Sequence, residues 1–266
     1  MESEPGAFYS PIPSRADVDA GSPTPLADPA ASGLDVGTAA QQHLLATLDV
    51  RPPDGPRFSP NGFYDRGDAA VYQALVRFRR PRRVVEVGAG WSTAALFDAG
   101  GADVVTLIDV DLTRAVGVLQ PGDLERCDLR EQRLQDVPID LFTTLDRGDL
   151  LFVDTTHVAK YGSDVLRIFF EILPALAPGV AVHFHDILYP FDYPKEWLQK
   201  GRSWSEAYLL RAFLQFNPEF EILLWPDMLR RLGLVGEPEL ASWLGQQNSG
   251  SIWIQRRGSH QGPGTP

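Results

Sequence analysis

The chain has a single cysteine, Cys127, in 266 residues. One thiol makes no internal disulfide and no Cys-rich zinc site. Positive charge is also scarce, with 24 Lys and Arg against 35 Asp and Glu, a net charge of −11. Duplex DNA and anionic membrane surfaces repel such a chain on average. A bilayer-spanning helix needs about 20 apolar residues. The longest apolar region, Val165 to Phe184, is interrupted by Arg167, Glu171 and two prolines. The first residues, Met-Glu-Ser-Glu-Pro-Gly, lack the basic stretch and apolar run of a secretory signal. We therefore expect a soluble, cytoplasmic protein with no nucleic-acid or membrane partner.

Glycine and proline, by contrast, are plentiful at 24 and 22. Residues 1–40 are rich in them and in Ala, Ser and Asp, a composition that buries little surface. They are expected to form an arm, partly disordered. Its island Phe8-Tyr9-Ser10-Pro11-Ile12-Pro13 reads as a hydrophobic clip on the main domain or as an arm closing over a ligand. The Gly/Pro-rich tail, residues 257–266, is expected to be flexible. Residues 41–256 then form one domain.

Within that domain, short β-branched runs alternate with helical periodicities. Helices are expected over 38–49, 67–79, 92–99, 111–119, 138–146, 163–176 and about 203–216, with Asp68 as cap or first-turn acid of the second. Strands are expected at 84–87, 104–108, near 129–134, and at 150–153, 180–184, 220–224 and 251–255. This alternation predicts an α/β fold with a doubly wound, largely parallel sheet of seven strands. Ligands of such sheets sit at the carboxyl ends of the strands. The chemically distinctive residues fall there: Gly88 and Gly90 after strand one, Asp109 after two, Asp136 after three, Asp154 after four, His185-Asp186 after five.

The first turn reads Glu86-Val87-Gly88-Ala89-Gly90-Trp91-Ser92-Thr93. A dinucleotide site wants G-x-G-x-x-G, so that backbone meets a pyrophosphate at a helix N-terminus. Here Thr93 takes the third glycine's place, and Glu86 would repel a phosphate. A cationic or zwitterionic ligand suits this turn better. Asp109 lies 23 residues beyond Glu86, near the offset at which a carboxylate receives ribose hydroxyls.

The E-V-G-A-G turn, Asp109, Gln135-Asp136 and the final Ser-Ile-Trp-Ile-Gln strand resemble the class I S-adenosylmethionine (SAM)-dependent methyltransferases, over about residues 60–256. The resemblance implies a Rossmann-like fold whose seventh strand is antiparallel, and SAM as cofactor. It implies that Glu86, Gly88 and Gly90 face the methionine end and that Asp109 holds the ribose. Gln135 and Asp136 would then lie near the adenine, with Ser92 and Asp154 completing the cofactor set. Two stretches, Phe8 to Pro13 and His183-Phe184-His185-Asp186-Ile187 through Trp197, are similar to a narrower, largely uncharacterised bacterial branch. That branch often has Glu where this chain has Asp109. The segment Asn61 to Asp68 is similar to the loop that folds over the cofactor in small-molecule O-methyltransferases, which implies that Tyr64 lines the pocket.

Methyl transfer is an in-line displacement in which the protein positions the acceptor and removes its proton. Candidates cluster after strands four and five, where three of the five histidines lie. In one reading His157 or His185 is a general base near neutral pH. In another, Asp154, His185 and Asp186 hold a divalent metal. Cation-dependent O-methyltransferases have acids after strand four and an Asp-Asn pair where this chain has His185-Asp186, so an imidazole replaces a hard carboxylate. His183 reads as a core histidine or a site residue, and Lys160 as a contact for an acidic acceptor. The aromatic insert at about 187–208 reads as a lid over the acceptor or as a dimer contact or local core. The expected function is methyl transfer to O or N of a small molecule, by a monomer or homodimer. The alternatives are a SAM-using enzyme that does not methylate, such as a SAM cyclase, and a non-catalytic binding protein.

Overall fold

The computed structural model describes residues 4–22, 26, 32–244 and 250–258. The disorder expected within 1–40 and the flexible tail fall partly outside these residues. A seven-stranded sheet forms the centre. Its strands are β1 (Arg83–Val87), β2 (Val104–Asp109), β3 (Cys127–Glu131), β4 (Leu150–Val153), β5 (Ala181–His185), β6 (Phe220–Leu224) and β7 (Ser251–Arg256). Their spatial order is β3-β2-β1-β4-β5-β7-β6. The first five run parallel, and β7 is antiparallel between β5 and β6. This is the Rossmann-like sheet expected. Because β1 pairs with both β2 and β4, the winding reverses at β1 and a crevice opens at the carboxyl ends there.

The apolar runs of β4 and β5 are buried throughout, as strands covered on both faces must be. Register places Glu86, Phe152, His183 and Trp253 side by side across β1, β4, β5 and β7. Tyr72, from the helix Arg66–Arg79, stacks on Phe152 at 5.1 Å between ring centroids, and Phe152 stacks on His183 at 4.0 Å. His183 is therefore a core residue. Burial, with the neighbouring His185, pushes its pKa well below the ordinary histidine range, so it stays neutral.

Several sequence-based boundaries shift. β3 is an edge strand with two of its five residues exposed and none buried, so its apolar signal is weak. It ends at Glu131, and Gln135-Asp136 lies on a short 3-10 turn, Leu134–Asp136. The helix expected over 138–146 spans only Asp140–Thr143. The helix expected over 163–176 carries a π-helical stretch, Ile168–Ile172, just before Pro174. The widened turn accommodates a proline that can neither donate to residue 170 nor pack closely on its carbonyl. Asp65 caps Arg66–Arg79, and Asp68 is the acid of its first turn, one of the two roles expected.

Two acids fasten the loops to the sheet. The buried Asp149 accepts the N–H groups of Arg82, Arg83 and Asp146 at 2.9–3.0 Å, tying the start of β1 to β4. Asp98 accepts the N–H groups of Arg57 and Phe58, and the Arg57 guanidinium bridges Asp98 and Asp123. On the arm, the helix Arg15–Ala20 is capped by Ser14. It meets the helix Lys195–Gln199, where the Lys195 ammonium donates to the Asp19 carbonyl at 2.9 Å. The expected clip is only partial, because Phe8 and Tyr9 are exposed. Among the described residues no helix is long and apolar enough to cross a membrane.

Replacing Asp149 with alanine leaves three backbone donors without their charged acceptor. Hydrogen bonds to charged groups contribute about 1.5–3 kcal/mol each, so Asp149→Ala is expected to lower unfolding free energy by about 4 kcal/mol or more in a urea titration.

Candidate active site

Two cavities open at the carboxyl ends of β1, β2, β4 and β5. The first, of about 390 Å³, is walled by Gly88, Asp109, Gln135 and Asp154, among others. Gly88 has φ +82°, and a Cβ there would stand 1.7 Å from the Asp154 carbonyl oxygen. Only glycine lets the turns after β1 and β4 approach this closely. The Asp109 carboxylate accepts the Ala89 and Asp111 N–H groups, both at 3.2 Å, so it is held in place while still facing the cavity. Gln135 is fixed by donation to the Gly162 carbonyl at 2.9 Å. The Thr155 hydroxyl in the same wall is buried without a hydrogen-bond partner.

Other cofactor expectations need correction. Glu86 is fully buried and lines neither cavity. The Tyr72 hydroxyl donates to one of its oxygens at 3.0 Å and the Thr93 hydroxyl to the other at 2.5 Å. Thr93 in turn receives the Gly90 N–H at 3.0 Å. Glu86 thus shapes the turn from behind instead of facing the methionine end of a ligand. Gly90 and Ser92 also line neither cavity. Gly90 makes room for Arg114, whose Cδ would lie 2.9 Å from a Cβ. Asp136 is exposed and paired with Arg133 at 2.9 Å, outside the cavity wall. Tyr64 is buried against His185, 5.2 Å between ring centroids, with its hydroxyl unpartnered. It therefore supports the second cavity, not the first.

That second cavity, of about 410 Å³, shares Asp154 with the first. His185, Asp186, Phe63, Trp197 and Trp204 also line it. Two guanidiniums lie over its aromatic walls, Arg114 at 4.2 Å from the Phe63 centroid and Arg202 at 5.0 Å from that of Trp197. The aromatic insert divides. Tyr189 and Phe191 pack on Trp225. Tyr193, Trp197, Trp204 and Tyr208 pack on one another and form a small core that roofs the cavity.

His157 joins these parts. Its Nδ1 lies 2.8 Å from Glu206, and its Nε2 lies 3.2 Å from Asp154 and 3.7 Å from Asp186. Burial opposes a charge on the ring. Even so, the hydrogen bonds to Asp154 and Glu206 push its pKa well above the ordinary histidine range. That shift favours the protonated ring, which suits His157 less than His185 to the expected role of base. Its φ of +58° and that of Asp186, +57°, are left-handed conformations that non-glycine residues rarely adopt, and they cluster at functional sites.

His185 sits among Asp186, Asp154 and Asp68, which outweigh its burial and raise its pKa above 6.5. Its Nδ1 is buried without a hydrogen-bond partner, and its Nε2 lies 3.7 Å from Asp186. Burial raises the Asp186 pKa. Asp154, against its burial, is held below the ordinary range by His185 and His157. A divalent metal does not fit Asp154, His185 and Asp186, because the His157 imidazolium already occupies the space between the two carboxylates. Among the described residues no group of three or more His, Cys, Asp or Glu has a metal-holding arrangement. Lys160 is exposed and lines a different cavity, beneath the arm. Sequence reasoning missed Glu206, which reads only as a helix-start acid. It also missed Arg114 and Arg202, whose role comes from the rings they cover.

Residues 85–187 match the family model described as a methyltransferase domain. Over that stretch the chain is similar to a methyltransferase domain. That stretch includes the Gly88 turn, Asp109, Asp154, His157 and His185-Asp186. An uncharacterized protein of Archaeoglobus fulgidus is 29% identical over 163 residues, 54% of this chain and 74% of its own. Among solved structures, an O-methyltransferase of Streptomyces achromogenes in complex with SAM is 18% identical. The match covers 84% of this chain and 89% of that one, with a TM-score of 0.48. An O-methyltransferase of Bacillus cereus in complex with S-adenosylhomocysteine is 15% identical over 91% and 96% of the chains, with a TM-score of 0.47.

Two titrations check the site's buried charges. Burial pushes the Glu86 carboxyl from its ordinary 4.5 up to about 7, although Thr93 and Tyr72 hydrogen-bond to it. The folded state therefore binds the Glu86 proton more tightly than the unfolded chain does. That stabilisation is complete below about pH 4.5 and is lost as pH rises through about 7. Relative to Glu86→Gln, the wild type is expected to lose about 3 kcal/mol of unfolding free energy across this window, measured by urea titration at a series of pH values. His157→Ala leaves Glu206 buried and unpaired, and is expected to cost roughly 3–5 kcal/mol at neutral pH by the same measurement.

Proposed function

We propose that the protein is a SAM-dependent methyltransferase acting on an oxygen or nitrogen of a small-molecule acceptor. The observation that carries this is Asp154, a wall common to both cavities. The two cavities adjoin at this side chain, so ligands in the two lie next to each other beside it. The net charge of −11 favours a small-molecule acceptor over a nucleic acid or an anionic membrane, and we read the protein as a cytoplasmic enzyme.

The first cavity fits the cofactor's chemistry. Gly88 lets a ligand lie close to the backbone, and Asp109 faces the cavity with a carboxylate suited to two ribose hydroxyls. The side chain of Gln135 and the unpartnered Thr155 hydroxyl lie in the same wall. When bound, SAM supplies an electrophilic methyl on a sulfonium. Asp154 stays ionised beside it, because His157 and His185 hold its pKa down.

In the second cavity the acceptor stands against Trp204 and Phe63, and the roof excludes water from the reacting atoms. His185 takes the acceptor's proton. Asp186, 3.7 Å from both His185 and His157, faces the imidazolium that results. The base works once His185 is neutral, so activity rises with pH through a value above 6.5. His157 supplies the local positive charge that a metal reading would assign to a cation.

Calorimetric titration is expected to show S-adenosylhomocysteine binding that is lost in Gly88→Arg and Asp109→Ala. No binding to the wild type would overturn the reading. Mass spectrometry of products separates methyl transfer, which releases S-adenosylhomocysteine, from SAM cyclisation, which releases methylthioadenosine. His185→Ala is expected to lower turnover by about 10²–10⁴ with cofactor binding retained. Wild-type activity is expected to survive chelation by EDTA.

A further inference from the structure

A third cavity, of about 740 Å³, lies between the N-terminal arm and the lid. The arm contributes Ile12, Pro13 and Val18, and the domain contributes Ala159, Leu198 and Trp204. Tyr193 and Tyr208 add ring faces, each ring edge-on to its neighbour, with Tyr193 5.7 Å from both Trp204 and Tyr208. Such walls suit a flat, apolar body.

Most charged residues in these walls are already engaged. The Ser14 hydroxyl donates to Asp17 at 2.6 Å. Asp192 accepts the Tyr193 N–H and the Tyr208 hydroxyl, both at 2.9 Å. Lys195 donates to the Asp19 carbonyl. The Lys160 ammonium makes no hydrogen bond or ion pair with the described residues, and it stands exposed in the cavity wall near Ala159 and Trp204. A ligand with a flat ring and one negative charge complements this arrangement.

We propose that this cavity binds a ring-bearing carboxylate, with its ring against Trp204 and Tyr193 and its carboxylate on Lys160. Trp204 also walls the second cavity, so the bound ring is the far end of the acceptor. That last step rests on the proposed methyl transfer, whereas the binding itself does not. The acceptor class is then an aromatic or alicyclic carboxylic acid carrying its hydroxyl or amine at the opposite end.

The test titrates the full chain by calorimetry with 2-naphthoate and with the uncharged 2-naphthamide. Both are expected to bind. Lys160→Ala is expected to weaken naphthoate about fivefold, the effect of one partly exposed ion pair, and to leave naphthamide unchanged. Ala159→Trp, which fills the cavity, is expected to abolish binding of both while S-adenosylhomocysteine still binds, which also shows that the variant is folded. Gly88→Arg is expected to keep naphthoate binding while losing S-adenosylhomocysteine, which separates this site from the cofactor reading. Four results would each overturn the proposal: no heat with naphthoate, an equal loss of both ligands in Lys160→Ala, binding that persists in folded Ala159→Trp, or naphthoate binding lost in Gly88→Arg.

Discussion

The site depends on one charged ring, the His157 imidazolium, buried where three pieces of the chain meet. Its two nitrogens lie near Asp154, at the end of β4, and Glu206, at the start of the helix Glu206–Leu214; Asp186, after β5, lies near Nε2. The carbonyl of the same residue accepts the N–H groups of Ser205 and Glu206 at 2.9 and 3.1 Å, donors that a helix start otherwise leaves unsatisfied. His157 therefore holds the lid helix through both backbone and side chain. The left-handed φ of +58° lets the two act in concert. Such a conformation costs of order 1–3 kcal/mol, which the buried ion pairs and two backbone bonds offset.

Electrostatics follow from that placement. Three carboxylates this close together cannot all stay ionised in a buried pocket without a countercharge. His157 supplies it from within the chain. Asp154 remains anionic beside the cofactor cleft, while Asp186 and His185 are left to share a proton on the acceptor side. The two cavities thus differ in chemistry although one residue walls both. An alanine at 157 would give up the lid anchor and the charge balance together.

The sheet was largely legible in the sequence because its inner strands are apolar on both faces and each ends in a turn residue or acid. The antiparallel β7 came from the family resemblance, not from periodicity. β3 was legible only roughly, since an edge strand half open to water carries little apolar signal. Residues whose position is set by the adjacent backbone stand at the strand ends as expected, and Gly88, Asp109 and Asp154 line one cavity there. Residues whose surroundings depend on how side chains pair in the fold were harder to place. Glu86 looks like a ligand contact until Tyr72 and Thr93, brought in by neighbouring helices, take both its oxygens. Asp136 looks like an adenine neighbour until Arg133 claims it. Lys160 stands three residues from His157 in sequence, yet the turn carries it beneath the arm. Glu206 lies 49 residues from His157, and no local pattern joins them.

The second cavity shares one residue with each of the other two, and His157 lies against both of these residues. Asp154 lines both the first and the second cavity and lies 3.2 Å from the ring. Trp204 lines both the second cavity and the chamber under the arm, and its ring centroid is 4.4 Å from that of His157. His157 thus packs against both shared walls, so removing its ring takes support from both at once.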